Sequence, residues 1–300
     1  MANLLDIRRR IRSVKNTQQI TRALRMISAA KLRRAQEQAM AARPYAEKLR
    51  QILAALGDAA AGALSAEASS PAALAAARLL EQRPEQTIRV IVISSDQGRA
   101  GAFNTNVVKA ALEFQSQRQA QGARVEFDAV GRKARDLLAR FALAQLGPRG
   151  REFGPAPRLE TARELAAEAA EAFAAGRLDA VYLAGNEFKN VLQQRVRMER
   201  LLPITAPAES AASSRAWEFA PSADAIFSAL LPRYLATRIF AGLLESFAAE
   251  HAARMNAMDT ASRNASDMIE ALTLHLNRVR QAAITKEIIE VVSGAAALTG

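Results

Sequence analysis

The chain has 300 residues, half of them apolar, a net charge of +11 and no cysteine. That length admits one or two domains with a substantial core, and the apolar fraction excludes a disordered polyelectrolyte. The missing thiols exclude disulfides and cysteine-based metal sites, which suits a reducing compartment. No run of about 20 apolar residues is present to span a bilayer, and no apolar stretch follows the arginines that begin at Arg8. A signal peptide is therefore not expected, nor is a mitochondrial presequence, because the helical pattern begins almost at once.

Residues 1–56 form the first predicted element, a long helix from about residue 3. Leu4, Ile7, Ile11 and Val14 recur at steps of three and four, which keeps one seam on one side of a helix. The seam turns polar at Gln18 and Thr21. Ile20, Leu24, Ile27 and Leu32 are expected to carry it on with a shifted phase. Pro44 predicts a kink or a local break. Residues 1–50 hold thirteen bases against three acids, an excess of ten and nearly the whole net charge. So basic a helix seeks an acidic partner: nucleic acid, anionic lipid or an acidic protein surface.

Residues 57–86, rich in alanine and ending near Pro84, are expected to be a linker with one short helix over 72–81. Residues 87–204 change grammar. The β-branched run 87–95 is a buried strand, followed by the glycine-containing loop 96–104 and a helix over 105–121. Strand 124–130, helix 131–141, helix 159–175 and strand 179–184 follow, and 191–200 alternates enough for an edge strand. Alternating strands and helices predict a parallel-based α/β domain with helices on its faces.

Residues 205–222 read as a loop anchored by Trp217. The last element, 223–300, is a helix capped by Ser222, with Asp224 in its first turn. Its apolar face is broad from Leu230 to Phe247 and narrows after Met255. The narrow seam runs Met255, Met258, Ser262, Ala265, Ile269, Leu272, Leu276, Val279, Ala283. A three-four repeat held over four heptads is a coiled-coil pattern. One helix of that extent would be roughly 110 Å long at about 1.5 Å per residue. The N-terminal helix is its natural mate, antiparallel if the chain leaves and returns at one end. The fold class is thus α/β: a long antiparallel two-helix coiled coil from the two termini plus a Rossmann-like α/β domain.

Few residues suggest chemistry. The turn Gly98-Arg99-Ala100-Gly101 lies between strand and helix, where phosphates bind, but neither the P-loop nor the dinucleotide spacing is met. A tight turn is the simpler reading. Asp96 could be a catalytic carboxylate at a strand end, or a cap or turn residue, which ordinary turn chemistry favours. His251 and His275 lack partners at metal-ligand spacing, and no nucleophile–base set stands out. Against nucleic acid stand Ile7, Ile11 and Val14, which need a protein partner, and the missing recognition motifs. A merely solvated basic face remains open.

Four stretches carry a resemblance. Residues 7–36, IRRRIRSVKNTQQITRALRMISAAKLRRAQ, resemble the start of the γ subunit of rotary F-type ATP synthase, bacterial type. Residues 245–258, ESFAAEHAARMNAM, and 277–298, NRVRQAAITKEIIEVVSGAAAL, resemble its tail. Residues 95–104, SDQGRAGAFN, fit too, with Arg99-Ala100 where the family usually has Leu-Cys. The resemblance implies a central-stalk rotor without catalytic residues, metal or cofactor of its own, coupling proton flow to conformational change at catalytic β subunits. Its implied partners are the α and β subunits of the catalytic ring, a small ε subunit and the membrane c-ring, with no nucleic acid and no direct membrane insertion. It implies a peripheral position on the cytoplasmic face of the bacterial inner membrane. It places Arg254, Gln281 and Thr285 against the ring, and Leu24 to Met26 opposite the β levers. Arg33 and Arg34 would meet acidic lever segments on β. The apolar tip 291–298 would turn in an apolar collar, where contact is non-directional. Two rivals stay open: an α/β enzyme with a helical arm for oligomerisation, and a basic coiled-coil nucleic-acid binder.

Overall fold

The computed structural model describes residues 4–63, 78–141, 145–146, 151–191, 193–205 and 223–299. The expected helix over 72–81 falls largely outside these residues, as do Trp217 and the Ser222 cap. Helix α1 spans Leu4–Ala63, seven residues further than the sequence suggests, and is continuous through Pro44. The strands are β1 (Thr87–Ile93), β2 (Arg124–Val130), β3 (Gln145–Leu146), β4 (Ala180–Phe188) and β5 (Gln194–Leu202). Between them lie α2 (Phe103–Ala120), α3 (Arg132–Arg140) and α4 (Leu159–Ala174), and α5 (Ala223–Thr299) closes the chain. The chain forms two compact units. One unit comprises residues 1–28 and 254–300 and the other residues 29–253, so both divisions fall inside helices.

In the first unit the two helices pair antiparallel. Gln18 Nε2 donates to Ser266 Oγ at 2.6 Å, and Arg25 Nη1 donates to Asp259 Oδ1 at 2.6 Å. An advance of seven on α1 matches a retreat of seven on α5, which is the heptad step of an antiparallel pair. On α5 all nine predicted seam positions, from Met255 to Ala283, are buried or half-buried. On α1 the expected phase shift does not occur. Ile20 and Ile27 are 57% and 54% exposed, whereas Thr21 and Ser28 are 7% and 2% exposed. The three-four step continues unbroken through polar residues because they satisfy themselves. Thr21 Oγ1 donates to the Gln18 carbonyl at 2.9 Å, so its hydroxyl enters the seam without an orphaned donor.

The second unit is a five-stranded sheet of order β3-β2-β1-β4-β5. The first four strands are parallel, and β5 is an antiparallel edge paired to β4. Side chains alternate between the faces, as the pleat requires. Ile88, Val90, Val92, Phe127 and Tyr182 meet α2 and α3 on one side. Ile91, Ile93, Val181 and Leu183 meet α4 and the α1 and α5 segments of this unit on the other. Strand β3 has only two residues, too few for a periodic signal. The edge strand begins three residues later than expected, because Asn190 Oδ1 accepts from the Gln193 amide at 2.7 Å and holds a turn there.

Helix α5 lies very close to the sheet at Gly242, where a Cβ would stand 2.4 Å from Leu183 Cδ2. A mid-helix glycine is unfavourable by roughly 1 kcal/mol relative to alanine. Here it admits close packing on β4.

Candidate partner-contact surface

The crevice beyond the carboxyl ends of parallel strands, where the strand order reverses, is where open α/β sheets bind ligands. In this sheet that place lies between β1 and β4. After β1, Ala100 of the loop and Phe103 of α2 pack with Ala249 of α5, and Phe188 at the end of β4 and Ala253 lie against them. Asp96 is occupied. Its Oδ1 accepts from the amides of Arg132 at 2.9 Å and Phe153 at 3.1 Å, and its Oδ2 accepts from Gly154 at 2.8 Å. The carboxylate thus caps α3 and ties down the segment after β3, the turn role expected of it. Arg99 takes a left-handed φ of 66° and Gly101 one of 56°, so the 98–101 loop is a tight turn. Ala100 is buried.

His251 is buried, its ring edge-on to Phe247 with centroids 4.4 Å apart. His275 is exposed on α5. Among the described residues no group of acids and histidines could hold a metal ion, and no helix is long and apolar enough to cross a membrane.

The residues expected to touch partners occupy distinct settings. In the first unit Leu24 is half-buried in the seam and Met26 is exposed. Between them Arg25 is held by Asp259, which also accepts from Arg263 at 2.7 Å. These hydrogen bonds and charges keep the Asp259 carboxyl below its ordinary pKa, the bond from Arg25 contributing most. Gln281 and Thr285 are exposed on α5. Continuing the register puts position 260 opposite Leu24, so Gln281 lies about 30 Å further along at 1.5 Å per residue. Arg254, in contrast, is buried, so its guanidinium offers no open face. Arg33 and Arg34 belong to the second unit and are exposed. Arg33 Nε is 3.1 Å from Glu37 Oε1 one turn on.

One feature escaped the sequence reading, and a second reaches further than the apolar tip it named. Ile20, Ala23 and Ile27 form an outward row on α1 at helical spacing, all exposed. Beyond Ala283 every residue from 284 to 295 is exposed, including Ile284, Ile288 and Val291. The α1 row could have been found by carrying the three-four step through the polar positions instead of following the large residues.

This fold is an α/β unit joined to an antiparallel helical pair. A family model described as ATP synthase matches residues 3–298. The chain belongs to the ATP synthase gamma chain family. It is 48% identical over 299 residues to the ATP synthase gamma chain of Solibacter usitatus, covering 99% of each chain. It is 43% identical to that of Pelotomaculum thermopropionicum, over 99% of this chain and all of the relative. Among solved structures it is similar to a chain of the Euglena gracilis mitochondrial ATP synthase OSCP/F1/c-ring assembly, with a TM-score of 0.64 and 16% identity, over 98% of this chain and 94% of that one. A chain of the Tetrahymena thermophila central stalk and c-ring gives a TM-score of 0.57 and 24% identity, over 81% of this chain and 99% of that one.

Proposed function

We propose that this chain is the central-stalk rotor of a proton-translocating ATP synthase, and that its own residues perform no catalysis. The observation that carries the reading is the unlike faces of the antiparallel pair. The exposed surface of α1 carries arginines together with Ile20, Met26 and Ile27, whereas α5 runs on past Ala283 with bare isoleucines and valines. An axle with unlike faces presents a different contact to each of three otherwise equal β subunits. A difference in contact energy between conformations is what shifts a conformational population. The α and β subunits would surround the helical pair, with ε and the membrane c-ring at the α/β unit. The assembly would sit on the cytoplasmic face of the bacterial inner membrane. Leu24, Met26, Arg33, Arg34, Gln281 and Thr285 are the proposed contact residues. Arg254, being buried, would act by shaping α5 and not by direct contact. Each proton crossing 100 mV supplies about 2.3 kcal/mol, so several must be summed through the axle for each ATP.

The test is a reversible tether. The chain has no cysteine, so Leu24→Cys or Gln281→Cys provides a unique thiol for disulfide cross-linking to a cysteine placed on β. ATP turnover should stop when the link forms and return on reduction. Multi-turnover hydrolysis at the full rate with the link intact would defeat the proposal.

A further inference from the structure

A groove of about 840 Å³ opens within the second unit between α1, α4, α5 and the end of β4. Small side chains make the room: Ala39, Ala42 and Ala46 on α1, Ala166 and Ala167 on α4, and Ala236 on α5 all line it. Its larger apolar surface comes from Met40, Phe188, Phe240 and Leu244. Phe188 and Phe240 are only partly buried against the core beneath.

Charge around the groove is one-sided. Arg43, Arg163, Lys189 and Arg233 border it, with Glu245 as the single acid. All four cations are exposed, and no salt bridge engages any of them among the described residues. Like charges gathered about low-dielectric walls focus a field that draws anions. Volume and lining both fall in the range of small-molecule sites, which are mostly apolar with a few placed polar groups. Neither property alone names a ligand. Together they ask for an apolar body with an acidic head.

We propose that this groove binds a monomeric anionic amphiphile, a long-chain carboxylate or alkyl phosphate, with its chain on the alanine-lined walls and its head among the four cations. The site is independent of the rotor reading, because it lies within one unit and binding can be measured on the chain alone.

Labelled palmitate, kept below its micelle concentration, is dialysed to equilibrium against the full-length chain. One saturable site per chain is expected. Shortening the acid to myristate should weaken binding roughly ten-fold, the transfer cost of two methylenes. Hexadecyltrimethylammonium, with the same tail and the opposite charge, should fail to compete. Arg43→Gln combined with Arg233→Gln should weaken palmitate at least ten-fold, and Ala167→Phe should block it by filling the trough from an exposed position. Thermal melts check that each variant folds, and the arginine pair decides the matter if the phenylalanine does not fold. Absence of saturable binding, equal competition by the cation, or wild-type affinity in the folded variants would each overturn the proposal. So would binding only to phosphatidylglycerol vesicles, which would make the source a membrane surface, or capture only of an acidic protein segment.

Discussion

Asp96 shows how one side chain can hold several connections. It accepts three backbone amides from two segments distant in sequence. Truncation leaves the part-buried Phe153 and Gly154 amides without an acceptor, each costing about 1–3 kcal/mol if water cannot reach it, while the exposed Arg132 amide can turn to water. Asp96→Ala is therefore expected to lower unfolding free energy by about 2–4 kcal/mol in urea titration, and Asp96→Asn by less. Gly131 sits at φ 97°, and a Cβ there would lie 2.4 Å from the Ser94 carbonyl oxygen. Gly131→Ala should destabilise the α/β unit by at least about 2 kcal/mol, since strain and overlap combine. Asp96 was legible as a turn residue from its place after a β-branched run. The amides it serves were not, because Arg132 and Phe153 are 36 and 57 positions away and only the folded sheet brings them near.

At the scale of the element, the C-terminal seam was read correctly because its residues are apolar or small and keep step without a break. The N-terminal seam was misread between Gln18 and Ser28. There Ile20 and Ile27 face outward, and threonine and serine go in with their hydroxyls partnered or small enough to pack. Two polar clasps then fix the register, Gln18 with Ser266 and Arg25 with Asp259. The second has a definite pH signature. Asp259 titrates below its ordinary value when folded, so its contribution is complete above the unfolded carboxylate pKa of about 3.9. It is lost as pH falls through the lower folded pKa. Arg25→Gln should move the Asp259 carboxyl resonance back up in an NMR titration. An unchanged midpoint would mean that the clasp is absent in solution. The stabilisation itself should be small and weakened by salt, because the pair is exposed.

For the whole molecule, fold and family were both legible, the first from periodicity and the second from the terminal motifs. The grouping of the chain into two compact units is a separate property. Long helices contribute to two compact units, and a sequence pattern carries no mark where such a helix changes neighbours. Coupling is the property tested at this scale. Arg33→Glu together with Arg34→Glu should weaken proton pumping or assembly, and the loss should deepen at low ionic strength, where exposed charges are less screened. Wild-type pumping would remove electrostatics from the account. The stretch after Ala283 has a plainer consequence. Isoleucine and valine stand bare there on successive turns, Val291 at 72% exposure, and water disfavours contiguous apolar surface. Purified without companions, the chain should self-associate through this end, and a chain stopped at residue 283 should sediment as a monomer under conditions that aggregate the parent. A surface that only an enclosing partner would cover leaves the free chain prone to associate through this end.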